Sequence, residues 1–530
     1  MTSTESTPGR RTSRRFATLT ALPVCALMLS GWLGIAAIGN AQPAYDIVLS
    51  GGRVMDPESG LDAVRNVGIR EGRIATISED ALAGEVTVDV TGQVVAPGFI
   101  NVHSHAWTPL GQDFEVRDGV TTALELEGGS FPAASFGTHA PIAIAGKSRL
   151  NFGASVSHAY ARAAVLEGAD APSGADEQVA RALQGDGSFD METPAFRAAL
   201  GDAQVEQLEA LLRQELAEGV GLGIGMLLDY MSEAVSEQEM RRVFEVAGDM
   251  GAPVFIHIRR GVAGDPAGLI EVIEHAQATG APVHICHLQA SAMGGVGEFL
   301  RLIREARAGG VAITTESFPY NAGSTSNTAA VFNRDWQKIF AITYEDVEIA
   351  ATGERFTEES WEYYRKNAPG TGVIHHYNKE EWTSVATNAL DVIVASDGVP
   401  ALSLDSKVAP WGVGTNGRML GRYVREKQSL SLMDALRKMT LLPAEMLSDY
   451  NPVFERKGRL QVGMDADVTV FDPQRVIDRS TFQAPYQASE GISHVIVGGQ
   501  FAVRSGSLLE DAFPGSRVQQ NTAPGAAVSD

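Results

Sequence analysis

Between residues 97 and 451 the chain alternates short apolar runs with longer amphipathic ones, and this rhythm restricts the fold more than any other feature. Runs of strand length lie at Phe99–His105, Val120–Glu127, Leu150–Ser157, Gly221–Asp229, Val254–His257, Val283–His287, Val311–Glu316 and Val392–Ser396. Helical spacing of apolar residues fills several gaps, over Val205–Leu216, Glu237–Met250, Leu269–Ala278 and Val296–Ala308. Strands that are apolar on both faces and joined by helices make a parallel sheet. Eight of them predict a closed (β/α)8 TIM barrel over 97–451, with its chemistry at the C-terminal strand ends; a doubly wound sheet shares the same periodicity. An insertion at about 330–390, rich in Glu, Tyr, Trp and Lys, breaks the rhythm and is a candidate lid.

Outside that span the texture changes. Residues 42–96 and 452–512 carry short alternating stretches punctuated by turn pairs such as Gly51-Gly52, Asp56-Pro57 and Glu71-Gly72. They predict one small β-sandwich domain built from both chain ends. Residues 1–41 place Arg10, Arg11, Arg14 and Arg15 before the uncharged stretch Phe16–Ile38, then Gly39-Asn40-Ala41. This is a twin-arginine-like signal peptide pattern, with cleavage after Ala41 and an exported, periplasmic or secreted product. An uncleaved membrane anchor is the alternative; no membrane insertion of the mature protein is expected. The small, polar residues 513–530 read as a flexible tail. A net charge of -23 argues against nucleic acid and anionic membranes as partners, and two cysteines exclude a disulfide framework.

Polar residues stand where the apolar runs stop. PGFINVHSH ends in His103 and His105, whose side chains share one strand face about 6.6 Å apart. Glu127 closes the second run, His257 the fifth, His287 the sixth and Asp397 the eighth. A lone buried histidine is more often hydrogen-bonded core than a ligand. Six such residues at the strand ends of one barrel point instead to a divalent metal site, and imidazole with carboxylate suits zinc, with manganese or iron left open.

The segments PGFINVHSH, GVTTALELEGG, IHIR, HICHL and VASDG resemble the amidohydrolase superfamily, and most closely its N-acyl-D-amino-acid deacylase (D-aminoacylase) branch. SHAYARAAVLEG, ESFPYNAGSTS, VGTNGRMLGRYVRE, DALRKMTLLPAEML and GMDADVTVFDP extend the likeness from about residue 45 to 510. The resemblance implies a barrel inserted into a small sandwich, with His103, His105 and Asp397 on one metal and His257 and His287 on a second. The branch carries a Cys after its GVTT strand. Here Glu127 stands nearest that position, with Glu125 as the alternative on the same face. A bridging carboxylate implies two zinc ions per chain. The implied reaction is hydrolysis of a linear amide of a small-molecule substrate, with Asp397 as general base and acid.

The chain also departs from that branch. Gln289 follows HICHL where the deacylases carry a Lys that helps hold the substrate carboxylate, and Trp411 stands at the position of their Arg. Tyr230 at the fourth strand end is retained, and Ser157-His158 fits the family's Gly-His after the third strand, which puts His158 either on the pocket or in a structural hydrogen bond. These changes predict an amidase with a more apolar pocket, walled by Trp411, with Tyr230, Gln289 and His158 as further substrate-binding candidates. Arg259, Arg260, Lys407, Arg418 and Arg422 remain as replacement cations. A deacylase proper, a cyclic-amide or isoaspartyl-dipeptide hydrolase, and an inactive binding protein are the other readings. His275 and His284 read as structural, strand alternation points Cys286 away from His287, and His375-His376 receives no role. The sequence gives no oligomeric state.

Overall fold

A computed structural model describes residues 44–138, 147–168, 191–405 and 407–519. The expected signal peptide, residues 1–41, lies outside these residues. No helix among the described residues is long and apolar enough to cross a membrane.

The first strands are β1 (Tyr45–Asp56), β2 (Leu61–Arg70), β3 (Arg73–Ser78), β4 (Gly84–Asp89) and β5 (Val94–Pro97). The barrel strands follow as β6 (Phe99–Asn101), β7 (Val120–Ser130), β8 (Asn151–Ser157), β9 (Ile224–Met226), β10 (Val254–Ile256), β11 (Val283–Ile285) and β12 (Ile313–Ser317). An insertion then supplies β13 (Gly323–Ser326), β14 (Val347–Ile349) and β15 (Gly372–His375), before the last barrel strand, β16 (Ile393–Val394). The chain closes with β17 (Val468–Phe471), β18 (Ile492–Val497), β19 (Gln500–Arg504) and β20 (Ser507–Leu508).

Both chain ends enter one nine-stranded sheet, ordered β20-β19-β18-β17-β5-β1-β2-β3 with β4 also beside β1. β5 and β17 join the two ends by pairing antiparallel, Val94 with Phe471 through Pro97 with Val468. Gly51, at φ +73°, lets β1 bulge between Leu49 and Gly52, so that its first half pairs with β4 and its second with β5. Ile47, Val67, Val95, Val468 and Ile496 share one core between the limbs of this sheet.

β5 leads into the barrel across Gly98, where a Cβ would lie 2.2 Å from the Thr121 side chain. Only glycine fits there, which accounts for the glycine of PGFINVHSH. The eight barrel strands are ordered β16-β12-β11-β10-β9-β8-β7-β6, and every ladder between them is parallel. The circle closes where His105 N donates to Gly398 O at 2.7 Å and Asp397 N to His103 O at 2.8 Å. All eight expected apolar runs become barrel strands. Two expected helices fall on Glu237–Met250 and Val296–Ala308, and the first is capped by the Ser236 hydroxyl. Its inner face buries Met240, Val243, Phe244 and Ala247 against the strands.

The insertion has its own small antiparallel sheet, ordered β13-β15-β14, and its own aromatic core of Phe332, Trp336, Phe340, Phe356 and Trp361. The tail differs from expectation at residues 515–518. Phe152 N donates to Ser516 O at 3.0 Å, Val518 N donates to Phe152 O at 2.7 Å, and Val518 is buried beneath the barrel. Backbone pairing and one apolar anchor hold this stretch despite its polar composition.

Candidate metal centre

The strand-end residues converge in two triads. His103, His105 and Asp397 form one, and Glu127, His257 and His287 the other; within each, one donor atom per residue lies within 4.8 Å of the others. In the first triad the two Nε2 atoms of His103 and His105 are 3.1 Å apart, and Asp397 Oδ1 is 3.4 Å from His103 and 3.7 Å from His105. In the second, Glu127 Oε1 is 2.8 Å from His287 Nε2 and 3.1 Å from His257 Nδ1. The other oxygen of Glu127, Oε2, faces back to His103 at 3.4 Å and His105 at 3.7 Å. Glu127 therefore spans both triads.

The donor set fits a pair of divalent cations. His257 Nδ1 and His287 Nε2 stand 3.0 Å apart, so each triad holds a close pair of imidazole nitrogens beside a carboxylate. Such nitrogens must share a proton or a cation. The far nitrogens of three rings are engaged by oxygens, as in carboxylate–histidine–metal sites. His103 Nδ1 meets Glu316, His105 Nδ1 meets Glu125 at 2.8 Å, and His287 Nδ1 meets the Ser291 hydroxyl at 3.4 Å. Asp229 Oδ2 lies 4.0 Å from His257 Nε2. Glu125 thus stands behind His105, also accepting from Trp107 Nε1 at 3.0 Å, while Glu127 holds the position between the triads.

Charge separates the triads. Burial works against charge on His105, but the Glu125 carboxylate prevails and raises the ring to about 10. Burial, reinforced by neighbouring His257, lowers His287 to about 4. Burial pushes Asp397 up to about 7 against the pull of His103. Burial would raise Glu127 too, yet His103, His287 and His257 together hold it well below the usual carboxylate range. Two donors are also held in left-handed backbone, Asp397 at φ +53° and His287 at φ +34°, a strain that clusters at functional sites.

A cavity of about 380 Å³ opens above the centre, lined by His105, Glu127, His257, His287 and Asp397 at its floor. Strands β13 and β15 of the insertion supply one wall. Among the four substrate-binding candidates, Tyr230 lines this cavity, with its ring 4.6 Å from that of His257. The other three lie outside the lining. Trp411 is fully buried behind Asp397, stacked on Phe318 at 5.3 Å and donating its indole N–H to Asp397 O at 2.8 Å. Its place is under the general-base candidate, not in a pocket wall. Gln289 is buried and donates to Phe318 O at 3.1 Å. His158 faces Glu239 at 2.8 Å, beside Arg162, within the helix layer.

Glu316, buried near the end of β12, is not among the sequence candidates, because its strand ITTES is already polar before it. It backs His103 and also lies 3.3 Å from His284 Nε2. Cys286 sits with His103 and Glu316 in one cluster. His375, unassigned in the sequence, lines the cavity.

The amidohydrolase family model matches residues 86–503, and the chain belongs to that family. An N-acyl-D-glutamate deacylase of Alcaligenes xylosoxydans xylosoxydans is 30% identical over 479 residues, covering 86% of this chain and 93% of the relative. A crystal structure of N-acyl-D-glutamate deacylase from Bordetella bronchiseptica, complexed with zinc and a phosphonate mimic of the tetrahedral intermediate, superposes with a TM-score of 0.71 at 25% identity, covering 90% of this chain and 99% of that one. A D-aminoacylase with a binuclear metal centre superposes with a TM-score of 0.73 at 24% identity over 90% of this chain and all of that one, a likeness of fold. The resemblance read from the motifs is borne out.

Proposed function

We infer that the chain is a metal-dependent hydrolase that cleaves a linear amide, the N-acyl bond of a small molecule, using two divalent ions, zinc by the chemistry of the donors. The observation that carries this is Glu127, which turns one oxygen to each triad beneath an open cavity. The zinc-bound deacylase relative supports the choice of reaction and metal. Bound at these donors, the ions supply Lewis acidity toward the amide carbonyl and lower the pKa of water. Asp397 stands at the cavity side of the first triad and accepts the proton of the attacking water. The water oxygen bonds to the carbonyl carbon, and Asp397 delivers the proton to nitrogen as the C–N bond breaks. An amide nitrogen is a poor leaving group until it is protonated, so the shuttle serves both halves of the reaction.

The test is metal content and acyl release by the chain from Gln42 onward, beside Asp397→Asn. The expected result is about two ions per chain and a loss of roughly a thousandfold in kcat for the variant. No bound metal and no amide hydrolysis would leave a binding protein on this scaffold and end the reading. Residues 1–41 we read as an export signal, and N-terminal sequencing of exported protein should begin at Gln42.

A further inference from the structure

Five cations were candidates to replace the branch's missing carboxylate-holding pair, and three are already neutralised. Arg259 pairs with Glu271, Arg418 with Asp478 at 3.1 Å, and Arg422 with Glu380 at 3.2 Å. Arg260 and Lys407 line the cavity. Arg260 is 8% exposed, and among the described residues no carboxylate lies within ion-pair distance of its guanidinium. Asp229, the neighbouring carboxylate, binds Arg334 at 2.8 Å and accepts only the backbone N–H of Arg260, at 2.9 Å. The guanidinium instead faces the rings of Phe340, at 5.3 Å, and Tyr377, at 6.0 Å, and its Nε has no hydrogen-bond partner. His375, 3% exposed and also on the cavity, has an unpartnered Nδ1. Asp229 and Glu127 act on this guanidinium only from beyond ion-pair distance, which leaves its planar fork free to take a carboxylate directly.

We propose that Arg260, with His375 beside it, is the anion subsite of this cavity, so that the substrate is an acylated amine bearing a carboxylate. This deepens the amide-hydrolase reading and rests on it. The cationic grip has moved from the positions of Gln289 and Trp411 to the residue three places beyond His257. The anionic group then sits on the His257 side of the centre, while Asp397 serves the opposite side.

The experiment compares acetate release from N-acetyl-leucine and N-acetyl-leucinamide, each as both enantiomers, by the zinc-loaded enzyme. Arg260→Met, Arg260→Lys and Lys407→Met are run alongside, and thermal melts confirm that each variant is folded. The wild type should favour the carboxylate over the amide by at least about 100-fold in kcat/KM. Arg260→Met should collapse that ratio, Arg260→Lys should restore part of it, and Lys407→Met should preserve it. A wild-type enzyme without the preference, a ratio that survives Arg260→Met, or a ratio that falls only in Lys407→Met would overturn the proposal while leaving the amide-hydrolase reading intact. Should neither compound be cleaved, the hydrolase reading loses support and binding of N-acetyl-leucine to the metal-free protein decides the subsite. A Kd at least about tenfold weaker in Arg260→Met supports it, and an unchanged Kd overturns it.

Discussion

The two triads use the same chemistry, two imidazoles and a carboxylate, and differ in how they are enclosed. Glu127, His257 and His287 are all buried, with donor separations of 2.8–3.1 Å. In the other triad His105 and Asp397 keep 19% and 17% of their side chains exposed, toward the cavity, and Asp397 stands 3.4–3.7 Å from the two imidazoles. Enclosure favours retention of an ion, because water cannot compete for the donors. Openness favours reaction, because substrate and water must reach the ion and Asp397. On the two-ion reading proposed above, the contrast predicts holding by the buried triad and turnover at the open one, with Glu127 coupling the two.

The largest effect should follow from breaking that coupling. Glu127→Ala removes a donor from both triads and should cost at least about four orders of magnitude in kcat/KM, with both ions lost on dialysis. Glu127→Cys replaces it with a single thiolate and should retain more metal than Ala, read by metal analysis. Full metal retention in Glu127→Ala would break the comparison outright. Asp397→Asn touches only the open triad, so beyond its loss of turnover it should keep about one ion per chain, held by the buried donors. Loss of both ions from that variant would deny the buried triad its holding role.

This division explains what could be read from the sequence. Every metal-donor candidate stands where a mainly apolar run turns polar, and a parallel barrel brings those stops to one rim. Glu125 and Glu127 share a strand face, so only the depth of β7, which runs on to Ser130, separates the residue behind His105 from the one between the triads. Glu316 escaped because its strand ends ITTES, where several polar residues blur the stop. The cavity walls were less legible for a different reason. Trp411 follows Asp397 by fourteen residues, and its distance along the chain says nothing about whether the intervening loop brings it over the site or behind it. His375 reaches the cavity through pairing with Gly323, fifty-two residues earlier, a contact that no local periodicity encodes.

A smaller effect tests the support of the open triad. Glu316→Gln keeps the shape of the side chain but removes the charge that faces His103 Nδ1. Metal affinity at the open triad should fall about 10- to 100-fold, and the buried triad, which Glu316 touches only through the His287 backbone N–H at 3.3 Å, should weaken far less, measured by competition with a chelator. Equal weakening at both sites would mean that Glu316 supports the barrel mouth as a whole.

The gentlest probe is pH, because the ion-free triads differ in the protons they hold. His105, raised to about 10, is protonated near neutral pH, whereas His287, lowered to about 4, is already neutral. A metal entering the open triad must displace protons from both imidazoles, since against burial the Glu316 carboxylate also holds His103 well above the usual histidine range, and one entering the buried triad finds its His287 nitrogen free. Proton competition weakens as pH rises toward the pKa of the competing group, so affinity at the open triad should climb at least about tenfold per pH unit below 10. Zinc-buffered titrations at pH 7 and pH 9 should therefore show the weaker site tightening at least about 100-fold and the tighter site changing far less. Glu125→Gln, which removes the carboxylate that holds the His105 proton, should flatten the steep arm. Equal slopes at the two sites would mean that enclosure and protonation are not partitioned between the triads, and the assignment of one to holding and the other to turnover would lose its electrostatic basis.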